Sequence, residues 1–190
     1  MKSKQCVSVV SLAVLILLLA CAEKQAALAP GPASSAPAAS PIKAYATLQE
    51  LMEYVVDASA DAIWESSGFV SDKQGMHDLS PKTDKQWLAL RGNVIALIEA
   101  ANLVMVEGRQ VSRAGFAHVE PGNSLSSKEV AEAIAKDRTT FVGFAQALQQ
   151  VGIQTLDAVD KRDLDAISAL GGAMDEVCES CHKRYWYPDK

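Results

Sequence analysis

The chain has 190 residues, of which 49% are hydrophobic, and a formal net charge of −5 at pH 7. This length suffices for one domain of ordinary size with some additional sequence. An acidic chain without a basic run is a poor candidate for nucleic-acid binding, so we expect no nucleic-acid partner and favour a protein partner with a basic face.

Residues 1–20 predict an export signal peptide. Lys2 and Lys4 precede an apolar run over residues 7–20, which is too short for a comfortable transmembrane span. The run ends in the letters LLAC, and this ending resembles the bacterial lipoprotein box, in which the cysteine, here Cys21, carries the lipid. Ala22, rather than an aspartate, follows that cysteine and favours the outer membrane over the inner one. An ordinary signal peptide, or an uncleaved anchor, is the alternative.

Residues 21–43 form the second predicted segment, a disordered tether behind the lipidated cysteine. They are rich in alanine, proline and serine. Such a composition cannot bury enough apolar surface to offset the entropy lost on ordering. We therefore place the folded domain in residues 44–190.

The folded domain carries helical patterns and no convincing two-residue alternation. Three capping signals precede apolar stripes at three- and four-residue spacing, and a fourth helix starts at Asp160 or Asp163. The capping pairs are Thr47 with Glu50, Thr83 with Gln86, and Ser126 with Glu129. Four helices of about 20 residues can enclose one core. The sequence therefore predicts an all-α fold, an antiparallel four-helix bundle.

Two of the predicted helices have details that the structure can test. The third helix starts after Ser126, and Gly152 either ends it or lies inside it. The stripe of the first helix comprises Leu48, Leu51, Met52, Val55, Ala58, Ala62 and Ile63.

The last turns of the fourth predicted helix contain a Cys-x-x-Cys-His motif. Cys178, Cys181 and His182 are spaced by three and four residues, so their side chains share one helix face. Two thiols at this spacing can add to the two vinyl groups of a haem, and the adjacent imidazole can ligate the iron. The motif therefore predicts covalently bound haem c, with His182 as an iron ligand.

Three other roles for the motif stay open. A redox-active cysteine pair normally begins a helix, whereas this pair ends one. A structural zinc site needs four ligands; the motif supplies three, and His77 and His118 are the spare imidazoles. A disulfide between positions three apart on a helix is geometrically awkward.

The motif, followed three residues later by an aromatic residue on the last helix of a predicted four-helix bundle, resembles cytochrome c′ and its low-spin relatives of the cytochrome c-556 type. The resemblance covers residues 44–187. It implies thioether bonds to Cys178 and Cys181, His182 as the proximal ligand, and Tyr185 packed against the haem. Trp186 stands where the family usually has an arginine. Homodimers are common in that family, and nothing in this sequence fixes the oligomeric state.

In the resembled family the first helix lines the distal side of the haem. A methionine there makes the iron six-coordinate, and an apolar residue there leaves it five-coordinate. Met52 lies one turn after the Thr47 cap, at the level of the motif in an antiparallel bundle. It is therefore the candidate distal iron ligand, and packing beside Leu48 and Val55 is the alternative. Weaker candidates are Met76, Met105, His77 and His118.

A lipid-anchored electron carrier on the periplasmic side of a bacterial membrane is the function predicted first, with periplasmic redox proteins as partners. A five-coordinate protein that binds nitric oxide or carbon monoxide, for sensing or detoxification, is the alternative. A structural lipoprotein that has lost its haem is disfavoured, because all three motif residues are present. We identify no nucleophile with a base, no paired carboxylates and no phosphate loop, and so do not expect an enzyme.

Several residues outside the motif carry secondary expectations. Trp64, Trp87 and Phe141 should fill the core. Gly171 and Gly172 should let a neighbouring helix or the haem edge approach closely. Three arginines are candidate partners for the haem propionates, with solvated helix faces as the alternative: Arg91, Arg109 and Arg138.

Overall fold

The computed structural model describes residues 42–115 and 124–188, and helices make up most of this part of the chain. The predicted signal peptide, Cys21, most of the tether and His118 lie outside the described residues. The helices are α1 (Leu48–Leu51), α2 (Ala58–Glu65), α3 (Asp84–Val104), α4 (Ser127–Lys136), α5 (Arg138–Lys161) and α6 (Leu164–Tyr185). A π-helical segment, Met52–Asp57, joins α1 to α2 without a break. The predicted predominance of helix is confirmed.

All three predicted capping boxes form. The hydroxyl of Thr47 accepts the Glu50 N–H at 3.2 Å, and the Glu50 carboxylate accepts the Thr47 N–H at 2.9 Å. Thr83 with Gln86, and Ser126 with Glu129, make the same reciprocal pair. At the start of α6 the cap is Asp163, whose carboxylate accepts the Ala166 N–H at 3.0 Å. These contacts satisfy N–H groups that a helix start leaves without a backbone partner.

A two-stranded hairpin corrects the expectation that the domain contains helices alone. Strand β1 (Phe69–Asp72) pairs antiparallel with β2 (Gly75–Asp78), and the turn between them ends at Gly75 with φ +123°. Every residue of both strands is exposed. Because the hairpin has no core-facing side, its sequence lacks the alternation that marks a half-buried strand.

The third predicted helix is two helices, and this is a second correction. The backbone breaks at Asp137 (φ −137°, ψ 54°), between α4 and α5. Asp137 accepts a hydrogen bond from the Tyr185 hydroxyl on its carbonyl at 2.9 Å, and its carboxylate pairs with Arg184. Gly152 lies inside α5 and does not end it; an added Cβ would meet Ile98 Cγ1 at 2.8 Å.

The core forms where the longer helices pack on one another. Helix α3 packs against α5 and α2, α6 packs against α5 and α2, and α4 contacts α5 and α6. The fully buried large side chains include Ile63, Leu97, Ile167 and Met174. Phe141 is buried, and Trp64 and Trp87 pack against the core, as the sequence predicts.

Among the described helices, α3 alone is long and apolar enough to suit a membrane span, with a mean hydropathy of 1.3 over its most apolar window. The core helix of a globular domain meets the same criterion. Val94 and Leu97 of α3 are fully buried against the other helices, which is the behaviour of a core helix.

The π-helical segment changes which residues of the first helical stretch face inward. Its i→i+5 hydrogen bonds add about one residue to the turn, so the inward face is shifted relative to a regular α-helix. Ala58, predicted to lie in the apolar stripe, is exposed, whereas Ser59 and Ala60 are buried. Sequence periodicity alone assumes 3.6 residues per turn and misses this shift.

Candidate functional site

A large cavity lies between the first helical stretch (residues 48–65), α4, α5 and α6. Its volume is about 490 Å³, within the range of sites that hold small molecules and cofactors, about 300–1,000 Å³. Its walls are mainly apolar. The apolar lining residues are Leu48, Val56, Ala60, Val104, Val111, Leu125, Val130, Ile134, Phe141, Phe144, Ala145, Leu148 and Val177, with Met52, Trp64, Tyr185 and Trp186.

The Cys-x-x-Cys-His motif forms one wall of this cavity. Cys178, Cys181 and His182 all line it from the last two turns of α6, and all three side chains are half-buried. Both cysteines are free thiols. The structure thus brings the two thiols and the imidazole to one apolar space, as their spacing predicts.

Burial governs the protonation of these three groups. It raises the pKa of Cys178 to about 11, with further contributions from the charges of Asp175 and Asp57. It raises the pKa of Cys181 to about 12 and lowers that of His182. At neutral pH the thiols are therefore protonated, and His182 is a neutral imidazole with a nitrogen lone pair available to a metal.

Met52 also lines this cavity, as the first residue of the π-helical segment. It is half-buried and packs against the core. Residues four apart along this stretch line the cavity in succession: Leu48, Met52, Val56, Ala60 and Trp64. In a regular α-helix, positions four apart drift about 40° per step around the axis, and the wider π turn offsets part of this drift. The segment therefore helps to keep Met52 and Val56 on the cavity side.

The weaker distal candidates lie elsewhere. Met105 packs against the core at the end of α3 and is not part of the cavity lining. Met76 is 75% exposed in the hairpin. His77 is exposed in the same hairpin, where its Nε2 lies 2.9 Å from an Asp72 carboxylate oxygen. Of the described candidates, only Met52 lines the same cavity as the motif.

Tyr185 ties the motif end of α6 to α5. It is 4% exposed, and its ring packs edge-on against Phe141 and Phe144. Its hydroxyl donates to the Asp137 carbonyl at 2.9 Å. Nearer the start of α6, the Gly171 carbonyl accepts from Nε1 of Trp64 in α2 at 2.9 Å, and an added Cβ on Gly171 would lie 3.0 Å from Trp64. The expected close approach of a neighbouring helix is confirmed at Gly171 and is wrong at Gly172, where an added Cβ would meet nothing within 4 Å.

The rim of the cavity is acidic, which sequence reasoning missed. Glu53, Asp57, Asp175 and Glu179 line it, and the first three are exposed. Glu179 pairs with Lys183 at 3.1 Å and accepts the Tyr187 hydroxyl at 2.5 Å. Glu53 and Asp57 are four residues apart, and so are Asp175 and Glu179. This spacing on two helices was the signal available in the sequence.

Among residues 42–115 and 124–188, no group of three or more His, Cys, Asp or Glu side chains is arranged to hold a metal ion by itself. Comparisons of the chain with protein-family models, curated proteins and solved structures gave no match. The functional interpretation therefore depends on the cavity and on the motif that lines it.

Proposed function

We propose that this chain is a c-type cytochrome, with haem c attached through Cys178 and Cys181 and its iron ligated by His182. The observation that carries the proposal is the apolar cavity that these three side chains line together. The residues present fit the group: two thiols at the spacing of the vinyl groups, a neutral imidazole beside them, and mainly apolar walls.

In this proposal the helical domain is an antiparallel four-helix bundle of the cytochrome c′ and cytochrome c-556 kind. The first helical stretch, α3, α5 and α6 supply the four long helices. The packing of α3 on α5, and of α6 on α5 and α2, supports this arrangement. The resemblance described above supports it independently through the position of the motif on the last helix.

Electron transfer is the activity that we propose first. Haem c supplies one-electron redox chemistry and, where an axial position is open, binding of diatomic gases. Met52 lines the same cavity as His182 and would supply a thioether ligand to the iron, which would favour the ferrous state. Val56 and Phe144 contribute apolar walls that exclude water. The acidic rim suits a redox partner with a basic face.

The location is also a proposal. The signal peptide would direct export, and the lipidated Cys21 with the tether would hold the domain on the periplasmic side of a bacterial membrane; Ala22 favours the outer membrane. A tether of this length spans about 25–30 Å as a flexible chain, which lets the domain meet periplasmic partners. Labelling with a radioactive fatty acid, lost in C21A, would test the anchor.

The deciding experiment is an optical spectrum of the reduced protein before and after addition of carbon monoxide. The matched variants are M52A and M105A, because both replace a partly buried methionine and only Met52 lines the cavity. In the wild type and in M105A we expect sharp low-spin bands that do not change when carbon monoxide is added. M52A should become high-spin and bind carbon monoxide rapidly.

Each other result has a defined meaning. A wild-type spectrum that is high-spin and changes at once with carbon monoxide would establish the gas-binding alternative and make Met52 a packing residue. Unchanged low-spin bands in M52A would reject Met52 as the ligand. A denatured chain that carries no covalent haem would reject the cytochrome itself.

A further inference from the structure

A second cavity adjoins the first and differs from it in charge. Its volume is about 330 Å³. Five residues line both cavities, so the two share a wall: Leu48, Val104, Val111, Ile134 and Phe141. Arg109 and Arg138 line only the second cavity, which we call the arginine annex.

The two annex arginines bind backbone carbonyls. Arg109 donates from Nε and Nη2 to the Leu103 carbonyl, at 3.1 and 2.9 Å, and from Nη1 to the Ala46 carbonyl. Arg138 donates from Nη2 to the Met105 carbonyl. Since a guanidinium carries five N–H groups, each arginine keeps donors that no described residue uses.

Neither annex arginine has a carboxylate partner among the described residues. Glu107 also lines the annex, is exposed, and forms no ion pair with either within that part of the chain. Burial lowers the pKa of Arg109, because its charge is partly removed from water. Arg91, by contrast, is paired with Asp160 at 2.7 Å and lines neither cavity.

The first cavity offers the opposite charge. Among the residues that the structure describes, four carboxylates line it, and no lysine or arginine does. Only Glu179 of the four forms an ion pair within the described residues. Two propionate carboxylates directed to that rim would meet like charges, whereas the annex offers them guanidinium groups, which bind carboxylates best.

The positions of the proposed thioether bonds also favour the annex as the site of the propionates. The propionates leave the porphyrin edge opposite the vinyl groups, and the thioether bonds of the proposed haem lie on α6. No residue of α6 lines the annex. A haem held at Cys178 and Cys181 would therefore direct its propionates away from α6, and the annex is lined by residues outside α6.

We propose that the arginine annex is the propionate site, where Arg109 and Arg138 bind the two haem carboxylates. This inference rests on the proposed function and assigns a role to two of the three arginines that the sequence left undecided. Bound in this way, both arginines stabilise the ferrous haem, because the ferric state carries one more positive charge.

The test uses the haem-loaded full chain with R109Q, R138Q and, as the control of equal charge change, R91Q. Reduction potentials are measured by spectroelectrochemistry, and resonance Raman spectra report the propionate bending band. We expect R109Q and R138Q each to shift the ferric–ferrous equilibrium threefold to tenfold towards ferric, a fall in potential of up to about 59 mV. The propionate band should shift in both, and R91Q should match the wild type.

The outcomes separate this inference from the proposed function. If haem is covalently bound but R109Q and R138Q have the same spectra and potentials as R91Q, the propionate site is overturned and the proposed cytochrome stands. Absence of covalent haem in the wild type would overturn both. Arg109 also binds carbonyls near the end of α3, so if R109Q fails to accumulate, R138Q decides the question, because Arg138 makes a single backbone contact.

Discussion

The close packing at Gly171 gives a prediction whose size can be worked out from the structure. In G171A the new Cβ lies 3.0 Å from Trp64 Cδ1 and 3.5 Å from Trp64 Nε1. Overpacking of this kind costs about 1–3 kcal/mol. Displacement of the indole also weakens its bond to the Gly171 carbonyl, worth about 0.5–1.5 kcal/mol. Alanine regains about 0.5–1 kcal/mol of helix propensity. We expect a net loss of about 1–3 kcal/mol.

Gly172, the next residue of the same helix, provides a matched control. It is exposed, and an added Cβ meets nothing within 4 Å. G172A should therefore gain the helix propensity alone, about 0.5–1 kcal/mol. Urea denaturation followed by far-ultraviolet circular dichroism measures both free energies of unfolding. Equal stabilisation of G171A and G172A would refute the packing argument.

Three further predictions concern the motif end of α6. Y185F should lose about 1 kcal/mol of unfolding free energy in urea denaturation, since it removes the hydroxyl that donates to the Asp137 carbonyl and leaves that carbonyl with the Phe141 N–H at 3.2 Å. Y45F, at a 91% exposed side chain, should be neutral. The Arg184 guanidinium holds the pKa of Asp137 below 3.8, so this pair stabilises the fold above pH about 4 and is lost on acidification. Thermal unfolding of D137N should therefore depend less on pH in that range than the wild type; equal slopes would contradict this. H182A should lower the yield of haem-bearing protein, measured by haem staining after denaturing electrophoresis, and a normal yield would remove His182 from the site.

Local signals explain what the sequence could predict. A capping box joins residues three apart, so Thr47, Thr83 and Ser126 could be identified without tertiary information. The spacing of Cys178, Cys181 and His182 likewise places them on one helix face, whatever lies opposite. These are the features that the structure confirms.

The remaining features depend on contacts between distant parts of the chain. The break at Asp137 accompanies bonds from Tyr185 and Arg184, 48 and 47 residues away in sequence. The annex likewise brings together Arg109, in the loop after α3, and Arg138, the first residue of α5. Charge alone could not distinguish these two arginines from Arg91, because the difference lies in what surrounds each guanidinium.

The surroundings of the two cysteines also discriminate between the roles left open by their spacing. A thiol–disulfide pair works through a thiolate, which a helix N-terminus or a nearby cation stabilises. Cys178 and Cys181 instead lie at a helix C-terminus, where the dipole disfavours negative charge, and burial raises the pKa of each. Asp57 and Asp175 add to this effect at Cys178. Because these influences oppose the thiolate, the electrostatics of this helix end disfavour redox exchange between the two thiols.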